Sequence, residues 1–584
     1  MIGRQHPAPG IYERRQALQD RSISMQETAI PAFLGMTSRG PLEKPTKIES
    51  FDEFRKLFGR PVETSYLSDA VYGFFSNGGK RCFIIRVAHT HARKGEIATR
   101  SSLTVNDSQD RPTLIIEAAN EGAWGDQIQV SVTIPESEIK TYLTFDAEKG
   151  ANKLTVKTSR GFHRGTLVRI HHKGFDHYAV LAGVDSKLLI LDQKDALPSA
   201  LKSSDLVYVE PVTFDLSVDY GGKRELHTGL SLAPGSERFP ERYISEQSEF
   251  VRVRLADNEA PISDRMPVPT APTFLAGGLD GIADITPADF IGADEGPGHR
   301  YGLAALLDNE DVDLVCAPDL MACREHSAGF NTDRDIETVQ EAMLTFCETT
   351  REVFAILDVP PDLEIEDALN WRLNFDSHFG AFYYPWISVI TPAGQRFVPP
   401  SGHMAGVYAR CDQAAGPHRA AANEVIQGAT HLQRNLDEAD VGYLNAHSVN
   451  PIRTVPARGI RVWGARTVSS RSEWRYVTVR RVFNMIRRAL YHNTQWVVFE
   501  NNNPRLWGNL ERQIKFYLTR LYEQGYFAGE TPADAFYVRC DNETNPPERL
   551  AAGELVAEIG IAPVRPAEFL TFTLEQQLPE VSTS

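Results

Sequence analysis

No stretch of the 584 residues approaches the ~20 consecutive apolar side chains that a membrane-spanning helix requires, so insertion of this chain into a bilayer is not expected. The six cysteines (Cys82, Cys316, Cys323, Cys347, Cys411 and Cys540) include no C-x-x-C pair, and residues 1–12 lack the apolar run of a secretory leader. Such a chain is expected to be made reduced, in the cytoplasm, and to reach the exterior only by lysis or as part of a larger particle. Positive charge is in deficit. With 61 Lys and Arg against 77 Asp and Glu the net charge is −16, opposite to the basic footprint of a general nucleic-acid binder, so no direct nucleic-acid contact is expected.

Catalytic signatures are equally scarce. There is no G-x-x-x-x-G-K-[ST] phosphate loop and no H-E-x-x-H; the glycine-rich run at Gly277–Gly281 lacks the lysine and hydroxyl that would hold a nucleotide. No cofactor and no metal is expected. Ser401 and His403 place a hydroxyl beside an imidazole, but without the G-x-S-x-G elbow, which leaves a hydrolase as the alternative reading. His171, His172 and His177 flank Lys173-Gly174 on an expected hairpin, where exposed imidazoles are the simpler reading than a metal site. Asp311 and Asp313 precede a buried strand, a place where Asp serves turns, and a carboxylate pair is the other reading.

What is present describes a soluble globular chain: 42% hydrophobic and 24% charged residues, with length for about four domains. Residues 1–27 form an N-terminal segment, either an extended arm or a frayed terminus, in which Ser22–Gln26 alternates as a short strand does. Residues 28–91 read as α/β: a buried strand at Ala32–Gly35, helices opened by Ser50 and Ser68, and a buried strand from Cys82. Residues 92–271 carry many short alternating segments separated by turns, which predicts a β-rich insertion closed by a proline-rich linker over 258–272. Helices and strands alternate again over 272–398, as in an α/β layer.

Residues 399–566 contain two well-marked helices. The first is expected from Ser470-x-x-Glu473 as a capping box, with Val479, Val482, Phe483, Ile486 and Leu490 as its apolar stripe. Arg480, Arg481, Arg487 and Arg488 repeat every seven residues off that stripe and form either a solvated face or a surface for an acidic partner. The second helix starts at Asn503-Pro504. In 567–584, Leu570, Phe572 and Leu574 alternate with polar residues, as a half-buried strand does.

Several ordered segments resemble the contractile tail sheath family of phages, R-type bacteriocins and extracellular injection particles. They are Pro9–Glu13, Thr28–Gly35, Arg39–Pro41, Glu121–Gly125 and Leu275–Gly281, then Pro399–Arg410, Val462–Thr467, Trp474–Arg481, Thr494–Glu500, Val538–Asp541 and Ala562–Phe569. Gly416–Arg419 departs from the pattern, since many relatives carry a tryptophan-bearing loop there. The resemblance implies an α/β (α+β) multidomain protein: an α/β core with a β-rich inserted outer domain, and an α/β C-terminal domain beside an inner tube, completed by strands from neighbouring subunits. It implies a structural, non-enzymatic role. Copies would stack as six-fold rings in a helical sheath around a tube protein, with baseplate and terminator or cap proteins at its ends. Under it the arms are Ile11, Tyr12, Ile23 and Met25 at one end and Leu570, Phe572 and Leu574 at the other, and the four arginines face the tube. The insertion could instead, or in addition, be a surface-binding module.

Overall fold

The computed structural model describes residues 23–90, 95–260, 265–391 and 394–568. Of the arm residues, Ile11, Tyr12, Leu570, Phe572 and Leu574 lie outside these ranges.

The centre is an eight-stranded sheet. Its spatial order is Thr46–Ile48, Cys82–Arg86, Pro31–Gly35, Leu314–Cys316, Phe354–Asp358, Gly380–Tyr384, Val449–Val455 and Gly459–Val462. The six inner strands run parallel, and the first and last are antiparallel. Strands Pro31–Gly35, Phe354–Asp358 and Gly380–Tyr384 are buried at every position, as a parallel sheet covered on both faces demands. One face packs on helices Asp333–Thr350 and Ile365–Leu373, the other on Leu67–Ser76 and Ser401–Ala414. The local signals are legible. Ser50 caps helix Phe51–Phe58 by accepting from Glu53 N, and Gly59 ends it at φ +85°. The sheet draws strands from both sides of the boundary expected at 398, Gly380–Tyr384 pairing with Val449–Val455.

The β-rich insertion folds around two separate cores. Strands Ser102–Asn106, Pro112–Ala118 and Val251–Leu255 form one sheet. A four-stranded sheet of Gln129–Thr133, Phe214–Tyr220, Lys223–Leu230 and Thr270–Phe274 shares its core. Part of the proline-rich stretch read as a linker is therefore strand. Within this unit, residues 141–211 form a six-stranded sheet with a core of its own. A bridge between Leu143 and Val156 joins its outer strands into a small barrel.

The last unit pairs helix Val477–Asn493 with helix Pro504–Glu523 over Val482, Met485, Ile486, Leu510, Ile514 and Leu518. Beside them lies a two-stranded sheet, Phe536–Arg539 and Glu558–Ile561. The expected capping box is not the start of the first helix. Ser470 donates its backbone N–H and hydroxyl to Asp376 at 2.8 and 2.6 Å, Glu473 sits in a separate 3-10 turn, and the helix opens at Val477 after Tyr476.

Candidate functional site

The segments that carry the family resemblance, far apart in sequence, meet at three junctions. The first holds the insertion on the core. The Arg39 guanidinium lies 5.6 Å from the Trp124 ring and 5.4 Å from the Tyr220 ring. Arg86, only 1% exposed, donates to the carbonyls of Gly40 (3.1 Å) and Glu121 (2.9 Å). Ala123 N–H donates to Asp280 (2.9 Å) and Gly278 N–H to Asp126 (3.1 Å). A Cβ on Gly278 would strike the Gly122 backbone and Ser101 Oγ, so this crossing requires glycine.

The second junction ties the N-terminal segment to the last unit. Ile23 is buried against Val482, Met485 and Ile486, and Ser24 donates to Asn493 Oδ1 at 3.3 Å. Thr28 Oγ1 donates to Asp412 at 2.6 Å, while Ala29 and Ile30 N–H donate to Asp313 at 2.9 and 2.6 Å. Arg481 joins both carboxylates. Its two terminal nitrogens meet Asp412 at 3.0 and 2.5 Å, Asp313 is 4.0 Å away, and the guanidinium lies 4.7 Å over the Tyr408 ring. Burial opposes the Arg481 charge, but Asp412 and Asp313 outweigh it and raise its pKa.

This corrects several expectations. Ile23 takes part in no strand; it is a core residue of its own subunit, while Met25 is exposed. Asp313 is a buried acceptor for the entering chain. In the single subunit Arg480, Arg481 and Arg488 are 8%, 6% and 4% exposed, so they form no solvated face, and of the three Arg480 lines an open groove. The physical reason is that this helix is enclosed on more than its apolar stripe. Helix Ser401–Ala414 supplies Asp412 to Arg481, and Asn484 of the helix itself donates to the Val353 carbonyl. Only Arg487 keeps about half of its side chain in solvent, 3.8 Å from Glu352.

The third junction secures the end of the described chain. Glu568 accepts from Arg466 Nε (2.8 Å) and Nη2 (2.5 Å) and from Tyr476 Oη (3.2 Å). Arg466 is itself 8% exposed and also donates to the Asn445 carbonyl at 2.8 Å.

Ser401 and His403 are not assembled as a nucleophile and base. Ser401 is fully buried and donates to Asp358 at 2.5 Å. His403 packs against Gly73 of the neighbouring helix, and burial lowers its pKa to about 4. Residues two apart on a helix point to different sides, and neither side chain meets solvent. His171 pairs with Glu210 at 3.1 Å, and no group of three or more potential ligands that could hold a metal occurs among the described residues.

Comparison with known proteins decides the family. The phage tail sheath protein central domain matches residues 292–468, and the phage tail sheath C-terminal domain matches 469–577. The chain belongs to the contractile tail sheath family. A tail sheath relative, the putative prophage major tail sheath protein of Pseudomonas aeruginosa (strain UCBPP-PA14), is 29% identical over 302 residues, 50% of this chain and 74% of that protein. The tail sheath protein of Burkholderia phage BcepMu is 27% identical over 313 residues, 50% of this chain and 62% of that one. Among solved sheath structures, the sheath tail protein Lin1278 of Listeria innocua superposes with a TM-score of 0.54 at 11% identity, covering 90% of each chain. The anti-feeding prophage helical sheath in the contracted state gives 0.51 at 19%, covering 98% of this chain and 100% of that one. The sheath fold thus extends over the insertion, where the family models do not reach. This chain is a structural subunit of a contractile sheath.

Proposed function

We propose that copies of this chain polymerise into stacked six-fold rings around an inner tube protein, are nucleated by a baseplate and closed by a cap, and contract to drive the tube through a target envelope. The observation that carries this reading is the open sheet of the last unit. Strands Phe536–Arg539 and Glu558–Ile561 pair only with each other among the described residues, leaving two edges of backbone donors and acceptors. Two strands alone are marginal in water, and added strands would complete them. Two stretches proposed to add, residues 1–22 and 569–584, adjoin fixed points: Ile23 on this unit, and Glu568 on Arg466 and Tyr476 just ahead of its first helix. A link anchored in this way would persist while other contacts between copies rearrange.

No nucleotide is needed in this scheme, because the work comes from the difference in burial between two lattices. The particle would be assembled in the cytoplasm and act outside the cell as a phage tail or tail-like device. The test is sedimentation of purified full-length protein beside variants lacking residues 1–22 or 569–584. Full-length protein is expected to pellet as polymer and both truncations to remain small. Truncations that polymerise like the full chain would remove the arms from the account.

A further inference from the structure

Among the described residues, Arg480 of the helix Val477–Asn493 is a buried arginine with no carboxylate in ion-pair reach. Its guanidinium lies 4.5 Å from the Phe379 ring, 4.7 Å from Trp474 and 5.5 Å from Phe483. Its Nε donates to Asn484 Oδ1 at 2.8 Å. No ion pair engages it among the described residues, in contrast to Arg481 one position on. It forms the floor of an open groove of about 670 Å³ whose rim carries Arg351, Arg471 and Arg487. Two carboxylates also line this groove, but both are engaged. Glu348 accepts from Ser377 Oγ at 2.6 Å, and Asp376 accepts from Ser470. His378 stacks on Trp474 at 4.8 Å and thickens the aromatic wall. The groove is therefore a cationic, aromatic-walled slot on a chain of net charge −16. Burial, then Arg487 and Arg351, lower the Arg480 pKa to about 10, so the guanidinium still carries its charge near neutrality. A carboxylate seated there would meet forked donors in a partly dry site, where a charge-assisted pair is strong.

The fold supplies a matching surface at the opposite edge. The groove lies where the parallel strands Phe354–Asp358 and Gly380–Tyr384 begin, since Arg351 stands three residues before the first and Phe379 one before the second. Where the same strands end, residues 362–367 and 434–440 hold seven carboxylates against the single Arg434. The backbone ties that edge together: Gln433 N–H donates to the Trp386 carbonyl at 3.0 Å, and Arg434 pairs with Glu364. Glu366 and Asp367 stand exposed at the start of helix Ile365–Leu373. Opposite charges at opposite ends of the same strands suit a head-to-tail contact between copies, which builds a ring where its rotation closes and a filament where it does not.

We propose that the Arg480 groove of one subunit receives the acidic edge around Glu366 and Asp367 of a second copy. This rests on the polymerisation reading above and names one of its contacts. The groove's aromatic walls and its two resident carboxylates fit a carboxylate side chain better than a multiply charged phosphate.

The test leaves Arg480 in place, because a buried residue could be lost to misfolding. Two double variants reverse exposed charges, R471E/R487E on the groove rim and E366K/D367K on the acidic edge, and a third combines all four substitutions. Each is checked for native circular dichroism, and polymer yield is measured by sedimentation beside the wild type. Each double variant is expected to lose about tenfold in polymer, and the combined variant to recover part of it, because rim and edge then carry opposite charges again. Wild-type polymer with unimpaired doubles, or with no recovery in a folded combined variant, overturns the contact and leaves polymerisation standing. Wild-type protein that never polymerises, with or without a coexpressed tube protein, overturns both.

Discussion

Two neighbouring residues of one helix, Arg480 and Arg481, show how far spacing alone can carry an inference. Their seven-residue echo at Arg487 and Arg488 marks a face, and a face of arginines usually means water. The structure gives Arg481 two carboxylates, Asp412 and Asp313, from elements 69 and 168 positions away in sequence. No local pattern could have announced them. Removing one member of such a pair strands the other. Asp412→Ala is expected to cost about 3–5 kcal/mol, read as a fall in the denaturation midpoint. It would also free the N-terminal segment at Thr28, giving faster proteolysis ahead of Ala29.

Two buried carboxyls make stability pH-dependent. Burial raises Asp358 to about 7 and Asp319 to about 6, although Ser401 and the Met36, Tyr66 and Leu67 amides work to lower them. A carboxyl whose pKa is raised on folding holds its proton better when folded. Its contribution is complete below the unfolded value near 4 and is lost as pH rises through the folded value. Asp358→Asn is therefore expected to flatten the decline of the unfolding midpoint between pH 4 and about 7. A profile with the wild-type slope would show that Asp358 does not titrate there.

At the scale of elements, the sequence was most informative where a rule acts locally. Ser50 and Gly59 bound their helix, Asn503 and Pro504 open theirs, and the hairpin of Leu167–His172 with Phe175–Asp185 turns at Lys173-Gly174. It misled where a side chain had a distant alternative, as when Ser470 found Asp376 instead of a helix start. The insertion was legible as β-rich, but its two cores were not, because strand alternation says which residues are buried and not which strands share a core. The glycine-rich run at Gly277–Gly281 is neither a nucleotide loop nor a flexible hinge. It is a close crossing of two chain segments. Gly278→Ala is expected to destabilise the crossing by about 1–3 kcal/mol, seen as early release of the insertion in limited proteolysis. Unchanged cleavage rates would mean that the Gly122 segment yields without cost.

At the scale of the whole molecule, family membership and fold are settled by the matches over 292–577 and by solved sheaths that cover nearly all of the chain. What assembly is proposed to use is visible as unfinished surfaces: a two-stranded sheet with open edges, an arginine-rimmed groove whose two acids are already engaged, and an acidic edge with little base. Under the proposal, each would be completed by another copy. Single-subunit sequence patterns cannot disclose such complementarity, because it exists only between edges of a folded sheet.

Negative-stain electron microscopy of the purified, full-length protein tests that claim most directly. Hollow, striated cylinders with helical order are expected, either from the protein alone or once a tube protein is coexpressed. Compact, monodisperse particles under both conditions would contradict the proposal that these surfaces exist to build a sheath.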